Sequence, residues 1–289
     1  MQHLKFIIPL CLSLFLFAAC SEQEGKDAGP ADTQKSELKP AADAPPLASF
    51  VGMFEADSVR PDAKSPSYQN LINVSVSSLK DGKISGYSVI AGNRQVFEGS
   101  YTPKGKAFEV EAREPGTDKH DGLFRFTLDT LAGTVKGTWT CYDATVDVPV
   151  RRYDLQRRTF RYDASAALNQ DLVGMPFYDP RFDEVGSSTQ EAITEDILKV
   201  NPSAQELKPA DIENMFKGDL EILRNSIYAR HGYSFRNRKM RYLFDYYVPW
   251  YMPVSVNVEA ELSELEKKNI ALLKRYEQHA EKYYDEFGR

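Results

Sequence analysis

The stretch Leu123-Phe124-Arg125-Phe126-Thr127-Leu128-Asp129-Thr130-Leu131-Ala132-Gly133-Thr134-Val135-Lys136-Gly137-Thr138-Trp139-Thr140-Cys141 decides the fold of the first half of the chain. Phe124, Phe126 and Leu128 alternate with Arg125, Thr127 and Asp129. Val135, Gly137, Trp139 and Cys141 alternate with Lys136, Thr138 and Thr140. A period of two with one apolar side is the pattern of a half-buried antiparallel strand. Ala132-Gly133 between the two runs reads as a hairpin turn. The same period appears on both sides. Ile72, Val74 and Val76 alternate with Asn73, Ser75 and Ser77, and Phe108, Val110 and Ala112 with Glu109, Glu111 and Arg113. Val146, Val148 and Val150 alternate with Asp147, Pro149 and Arg151, which puts Arg151 on the polar side. Asp81-Gly82, Gly92-Asn93, Pro103-Lys104-Gly105 and Asp121-Gly122 supply further turns. Roughly six to eight short strands spaced this way predict an antiparallel β-barrel or β-sandwich-like domain over residues 47–156, with Cys141 facing its core.

Ahead of this domain the chain carries an address. Lys5 gives a short positive region, and Phe6 to Phe17 is an apolar run of about a dozen residues, the length of a signal-peptide core and too short for a membrane span. It ends in Phe17-Ala18-Ala19-Cys20-Ser21. Small residues before a cysteine, directly after such a core, resemble a bacterial lipoprotein processing site, although phenylalanine stands where leucine is more usual. The resemblance implies a signal peptide over 1–19, lipidation of Cys20 and anchoring in the cell envelope, with Ser21 pointing to the outer membrane. Acyl chains contribute about 0.8 kcal/mol per buried methylene, so an anchor of two or three would be stable. Residues 20–46 carry no aromatic and almost no large aliphatic side chain. They cannot bury enough apolar surface to order themselves and read as a tether.

Composition removes several functions. A net charge of −6 argues against nucleic acid as a partner. Two of the three cysteines, Cys11 and Cys20, lie in the export segment, so the mature chain has no disulfide framework. The remaining histidines lack metal-ligand spacing, and nothing implies a cofactor. One weak calcium candidate is the loop with Glu114, Asp118 and Asp121, whose Pro-Gly and Asp-Gly pairs equally suit a plain hairpin. Gly137-Thr138-Trp139 superficially resembles the Gly-x-Trp of lipocalin-type barrels, but it lies in a late strand rather than near the first. A ligand cavity is therefore a minor expectation.

Residues 157–204 form a connector, with a short helix expected over Thr189–Lys199. From residue 205 the chain turns helical. Leu207 to Ile212 opens it with an early proline. Phe216, Leu220, Leu223 and Ile227 form one stripe, and Gly232 is a natural left-handed helix stop. Met240, Leu243, Phe244 and Tyr247 make a second stripe. Ser263-x-x-Glu266 is a capping box opening a last helix, with Leu262, Leu265, Leu272 and Asn269 inward.

Leu223-Arg224-Asn225, then Ile227-Tyr228-Ala229-Arg230-His231-Gly232-Tyr233 and Phe235, resemble the signature of the YARHG domain, a small module of bacterial exported and envelope proteins. The likeness runs from about Leu207 to Tyr276 and gives a mainly α-helical module over 205–289, so the fold class is α+β in two domains. Ser226 stands where the family usually has glutamate. If that glutamate were a catalytic acid, this chain would lack it. The family brings no established activity.

Arg224, Tyr228 and His231 share one helical face, and with Arg230 they are the candidate binding residues. The positive excess around them would suit peptidoglycan, lipopolysaccharide or an acidic glycan. The leading expectation is a lipid-anchored, non-catalytic binding protein. Alternatives are an envelope enzyme with His231 as general base, and a small-ligand carrier working through the β domain. Structural roles for the same residues predict Arg224 or Arg230 paired with Asp245 or Glu221.

Overall fold

Eight strands succeed one another around a closed antiparallel barrel in the computed structural model, which describes residues 46–176 and 192–283. They are β1 (Ala48–Ser58), β2 (Gln69–Lys80), β3 (Lys83–Ile90), β4 (Asn93–Lys104), β5 (Ala107–Arg113), β6 (Gly122–Asp129), β7 (Thr134–Cys141) and β8 (Val150–Arg157). β1 pairs with β2 on one side and β8 on the other, which closes the ring and leaves no strand as an unpaired edge. The barrel-or-sandwich expectation thus resolves to a barrel. The far end of its interior is filled by Phe50, Val76, Ile84, Leu128, Val135 and Leu155. Cys141 is buried, as its alternation predicts.

β8 corrects the reading of Val146, Val148 and Val150. The strand begins only at Val150, and Tyr153 and Leu155 are its buried residues. Arg151 therefore belongs to the inward set, opposite to expectation. Val146 and Val148 sit in the loop between β7 and β8 and pack over the barrel mouth. Asn73 and Ser75 on β2 are also buried, although they face out of the barrel. A second module covers them, and Asn73 Nδ2 donates to Pro253 O at 2.9 Å.

That module is built from α1 (Pro209–Ile212), α2 (Lys217–Arg230), α3 (Arg238–Tyr247) and α4 (Glu264–Tyr283). Its core joins Leu220, Leu223, Ile227, Leu243, Phe244 and Leu273. Phe216 caps the start of α2 and is only half-buried, so the stripe begins at Leu220. On α4 the buried residues are Glu266, Asn269, Leu273 and Ala280, so Leu273 rather than Leu272 lies deepest. Ser263 and Glu266 form the expected capping box: each backbone N–H donates to the other's side chain. Asn269 is fully satisfied, accepting from Leu207 N–H and donating to Pro202 O and Gln205 O. It staples the chain before α1 onto α4. The helix expected over Thr189–Lys199 is a single 3-10 turn, Glu195–Leu198, capped by Thr194; residues 189–191 lie outside the described residues.

Barrel and helices belong to one compact unit. Asp245 accepts from Leu71 N–H at 2.9 Å, Ser234 Oγ from Gly92 N–H at 2.9 Å, and Asn70 Oδ1 from Arg241 Nε at 3.1 Å. The expected signal peptide, Cys20 and all but the last residue of the expected tether lie outside the described residues. No helix among the described residues is long and apolar enough to cross a membrane.

Candidate functional site

The signature helix ends as its sequence dictates. Gly232 takes a φ of +72°, Gly232 N–H donates to Ala229 O, and Tyr233 N–H reaches back to Tyr228 O. This pair of bonds satisfies the last carbonyls of α2. The position is also crowded: a Cβ there would meet Val254 Cγ2 at 2.3 Å. The chain must turn here, and it turns inside a packed core.

The residues on this face are consumed by structure. Arg224 grips Glu277 of α4 at two points, Nε to Oε1 at 2.6 Å and Nη2 to Oε2 at 3.0 Å. His231 is 5% exposed, stacks on Tyr162 with ring centroids 4.4 Å apart, and points Nε2 at the Glu266 carboxylate. Burial alone would raise the Glu266 carboxyl, but hydrogen bonds from Ser263 N–H and His231 outweigh it and hold it below its ordinary range. Tyr162 OH donates to the same carboxylate. Arg230 is buried, donates to Ala166 O and Ser226 Oγ, and lies 5.5 Å from the Trp250 ring. Ser226 therefore serves as an arginine support. Tyr228 is half-buried, 6.0 Å from the Tyr233 ring. The expected pairings with Asp245 and Glu221 give way to Glu277, because α4 lies along α2 and brings that carboxylate opposite Arg224.

The positive run beyond the helix faces the barrel. Arg236 donates to Gly92 O, Arg238 to Ser65, and Arg241 to Asn70 and to the Arg236 carbonyl. These arginines dock the module rather than forming an open basic face.

The calcium expectation also changes. Asp121 is fully buried and accepts from Gln95 Nε2 and from the N–H groups of Thr117 and Asp118. Glu114 Oε2 accepts from Gly122 N–H at 2.7 Å and Trp139 Nε1 at 3.0 Å. These carboxylates are ringed by donors and shape the loop. No group of three or more His, Cys, Asp or Glu among the described residues could hold a metal ion.

A candidate site lies at the barrel mouth, in a cavity of about 660 Å³. Every strand reaches it: β1, β6 and β7 through Phe54, Phe124 and Trp139, β2 and β3 through Ile72 and Ser88, β8 through Arg151, β4 through Gln95, and β5 through Glu114 just past its end. Arg238 and Arg241 of α3 complete the rim, so the helical module forms part of the wall. Gly122 lets the Trp139 ring lie against the backbone; a Cβ there would meet Trp139 at 2.5 Å. Trp139 meets Phe54 edge-on at 5.7 Å. Burial pushes Glu114 up to about 7 despite hydrogen bonds from the Trp139 indole, Gly122 N–H and the Ser88 side chain. Burial also pulls the Arg151 guanidinium down to about 10. Sequence reasoning missed Arg151 because it set the register of this strand from the valines before it. Tyr153 and Leu155, two and four residues on, carry the signal that places it inside.

Residues 196–278 match the YARHG domain family, so the chain carries a YARHG domain at its C-terminal end. The match begins before α1 and takes in the 3-10 turn and the lead-in that Asn269 holds. Neither a curated protein nor a solved structure matches the chain.

Proposed function

We propose that this is a non-catalytic binding protein of the bacterial cell envelope, held at the outer membrane by lipid on Cys20, whose ligand is a small molecule taken into the open end of the barrel. The observation that carries this reading is the cavity of about 660 Å³, within the usual range for small-molecule sites, whose mostly polar wall also carries the aromatic side chains Phe54, Phe124 and Trp139. The residue run from Lys5 to Ser21 supports the anchor. The YARHG module acts as a brace. It covers the outer face of β2 and supplies two arginines to the rim.

The enzyme reading draws no support from this geometry. His231 is committed to Glu266 and is not part of the cavity wall. A polymeric anion on the signature helix is equally unsupported, because Arg224 and Arg230 are taken up internally.

Native mass spectrometry of the protein released from its own envelope tests the proposal. A bound small molecule is expected in the native chain. It should be absent from Ser88→Phe, which fills the cavity from β3. A native chain without cargo, or cargo unaffected by Ser88→Phe in a cooperatively folded variant, would count against the cavity as the ligand site.

A further inference from the structure

Arg151 is a cation in search of an anion. Nη1 donates to Phe54 O at 3.1 Å and Nη2 to Ser67 O at 2.8 Å, and the guanidinium lies 5.2 Å from the Phe54 ring centroid. Two carbonyls leave most of the donors of a guanidinium fork unused. No carboxylate among the described residues pairs with it, and burial is what lowers its proton affinity. A desolvated cation without a counter-ion is costly, and completing it with an anion recovers that cost.

The acids around the cavity are already engaged. Asp118 Oδ1 accepts from His120 N–H, Asp143 Oδ1 from Thr145, and Asp147 Oδ2 from Ser65 N–H. Glu114 takes Gly122 N–H and the Trp139 indole. Trp139 is the cross-strand partner of Arg151 in the β7–β8 ladder. The Arg151 fork thus lies beside the aromatic wall, with the Glu114 carboxyl group on the same cavity.

Resting on the reading that this cavity is the ligand site, we propose that its occupant is a small organic monocarboxylate with an aromatic or branched apolar body. The carboxylate forks onto Arg151, the body packs between Phe54, Phe124 and Trp139, and Glu114 hydrogen-bonds a polar group of the ligand. A planar guanidinium matches a carboxylate at two points. A multiply charged phosphate fits less well. The acids Glu114, Asp118, Asp143 and Asp147 offset the cations Arg151, Arg238, Arg241 and Lys119 around the cavity. The attraction is therefore local to Arg151 rather than a property of the whole rim.

The test is calorimetric titration of the full chain, held in phospholipid vesicles, with 3-phenylpropionate, indole-3-acetate and 4-methylpentanoate. Their uncharged amides and the matching phosphate monoesters are run beside them, against vesicles alone as the blank. At least one carboxylate should bind, with its amide at least about tenfold weaker and its phosphate ester weaker too, because only the acid forms the charge-assisted fork. Arg151→Met should erase the preference for acid over amide. If that variant does not fold, the comparison on the native chain still decides. Amides or phosphates binding as tightly as acids would overturn the ligand class and leave the cavity reading standing. No binding by any carboxylate would overturn the class as well, and an empty native mass spectrum beside it would take the cavity reading down too.

Discussion

His231 Nε2 lies 3.1 and 3.0 Å from the two carboxylate oxygens of Glu266, at the junction where α2 ends and α4 begins. The same carboxylate accepts from Ser263 N–H and Tyr162 OH, so one buried acid ties together a helix cap, a helix stop and the strand-to-helix connector. His231→Gln removes the ring from Tyr162 and weakens the hold on a buried charge. We expect a loss of about 1–3 kcal/mol in unfolding free energy, with ligand capture by the barrel unchanged. Denaturant titration and mass spectrometry on one preparation check both halves. Lost capture at unchanged stability would make the histidine functional.

Arg224 and Glu277 offer a cleaner measurement. The pair is two-pointed and its side chains are 22% and 12% exposed, far less than the other Lys and Arg pairs of the described residues. Surface pairs contribute at most about 1 kcal/mol, whereas shielded bidentate pairs exceed that. A double-mutant cycle with Arg224→Met and Glu277→Gln should give a coupling of about 1–2 kcal/mol. A coupling near zero would mean that α2 and α4 are held by their apolar contacts alone.

The sequence was legible where one residue type has one job. Alternation in Phe124, Phe126 and Leu128 requires a strand with a buried side, and Gly232 after a helical stripe requires a left-handed stop. It was opaque where two surfaces compete for the same pattern. Asn73 and Ser75 read as solvent-facing, because period-two alternation cannot distinguish water from the flank of another module. Val146 and Val148 read as strand residues, although their apolar sides cover the barrel mouth. That shift of one residue turned Arg151 outward on paper, since a slip of one exchanges the two faces of a strand. Arg224, Tyr228 and His231 read from the sequence as one helical face, and His231 is the residue that caps α2. Their partners Glu277 and Glu266 lie on another helix, and helical periodicity carries no information about which helix comes opposite.

Gly232 leads to a large and specific prediction. A side chain there meets both a φ of +72° and contacts of 2.3 Å to Val254 Cγ2, 2.9 Å to Phe160 and 3.0 Å to Met252 O. Left-handed backbone alone costs roughly 1–2 kcal/mol for a residue with a Cβ, and overpacking adds about 1–3 kcal/mol. Gly232→Ala should therefore destabilise by about 2–5 kcal/mol. Gly105→Ala provides the control, since it shares a positive φ of 65° but has nothing within 4 Å. Equal effects of the two substitutions would show that backbone strain, not the packed turn, makes Gly232 necessary.

The pH profile should slope downward from mildly acid to neutral. Glu114 and Asp245 both have carboxyls that burial pushes up to about 7. Between the ordinary carboxylate range and that value, the folded chain keeps protons that the unfolded chain has released. Stability is then fully present at low pH and falls as pH rises through about 7. Glu266 works the other way: its carboxyl is held low, so its contribution is present above the ordinary range and lost in acid. Glu114→Gln isolates the first effect. Gly122 N–H and the Trp139 indole both address the Oε2 atom of Glu114, so a glutamine oxygen can keep these two bonds. A shift from 4.5 to about 7 corresponds to at most about 3.4 kcal/mol at 1.36 kcal/mol per unit. The variant should exceed the native chain by about 1–3 kcal/mol at pH 8, with the gap closing toward pH 5. Chemical unfolding at the two pH values checks the sign, and a gap that stays constant or widens toward acid would mean that Glu114 ionises normally in the fold.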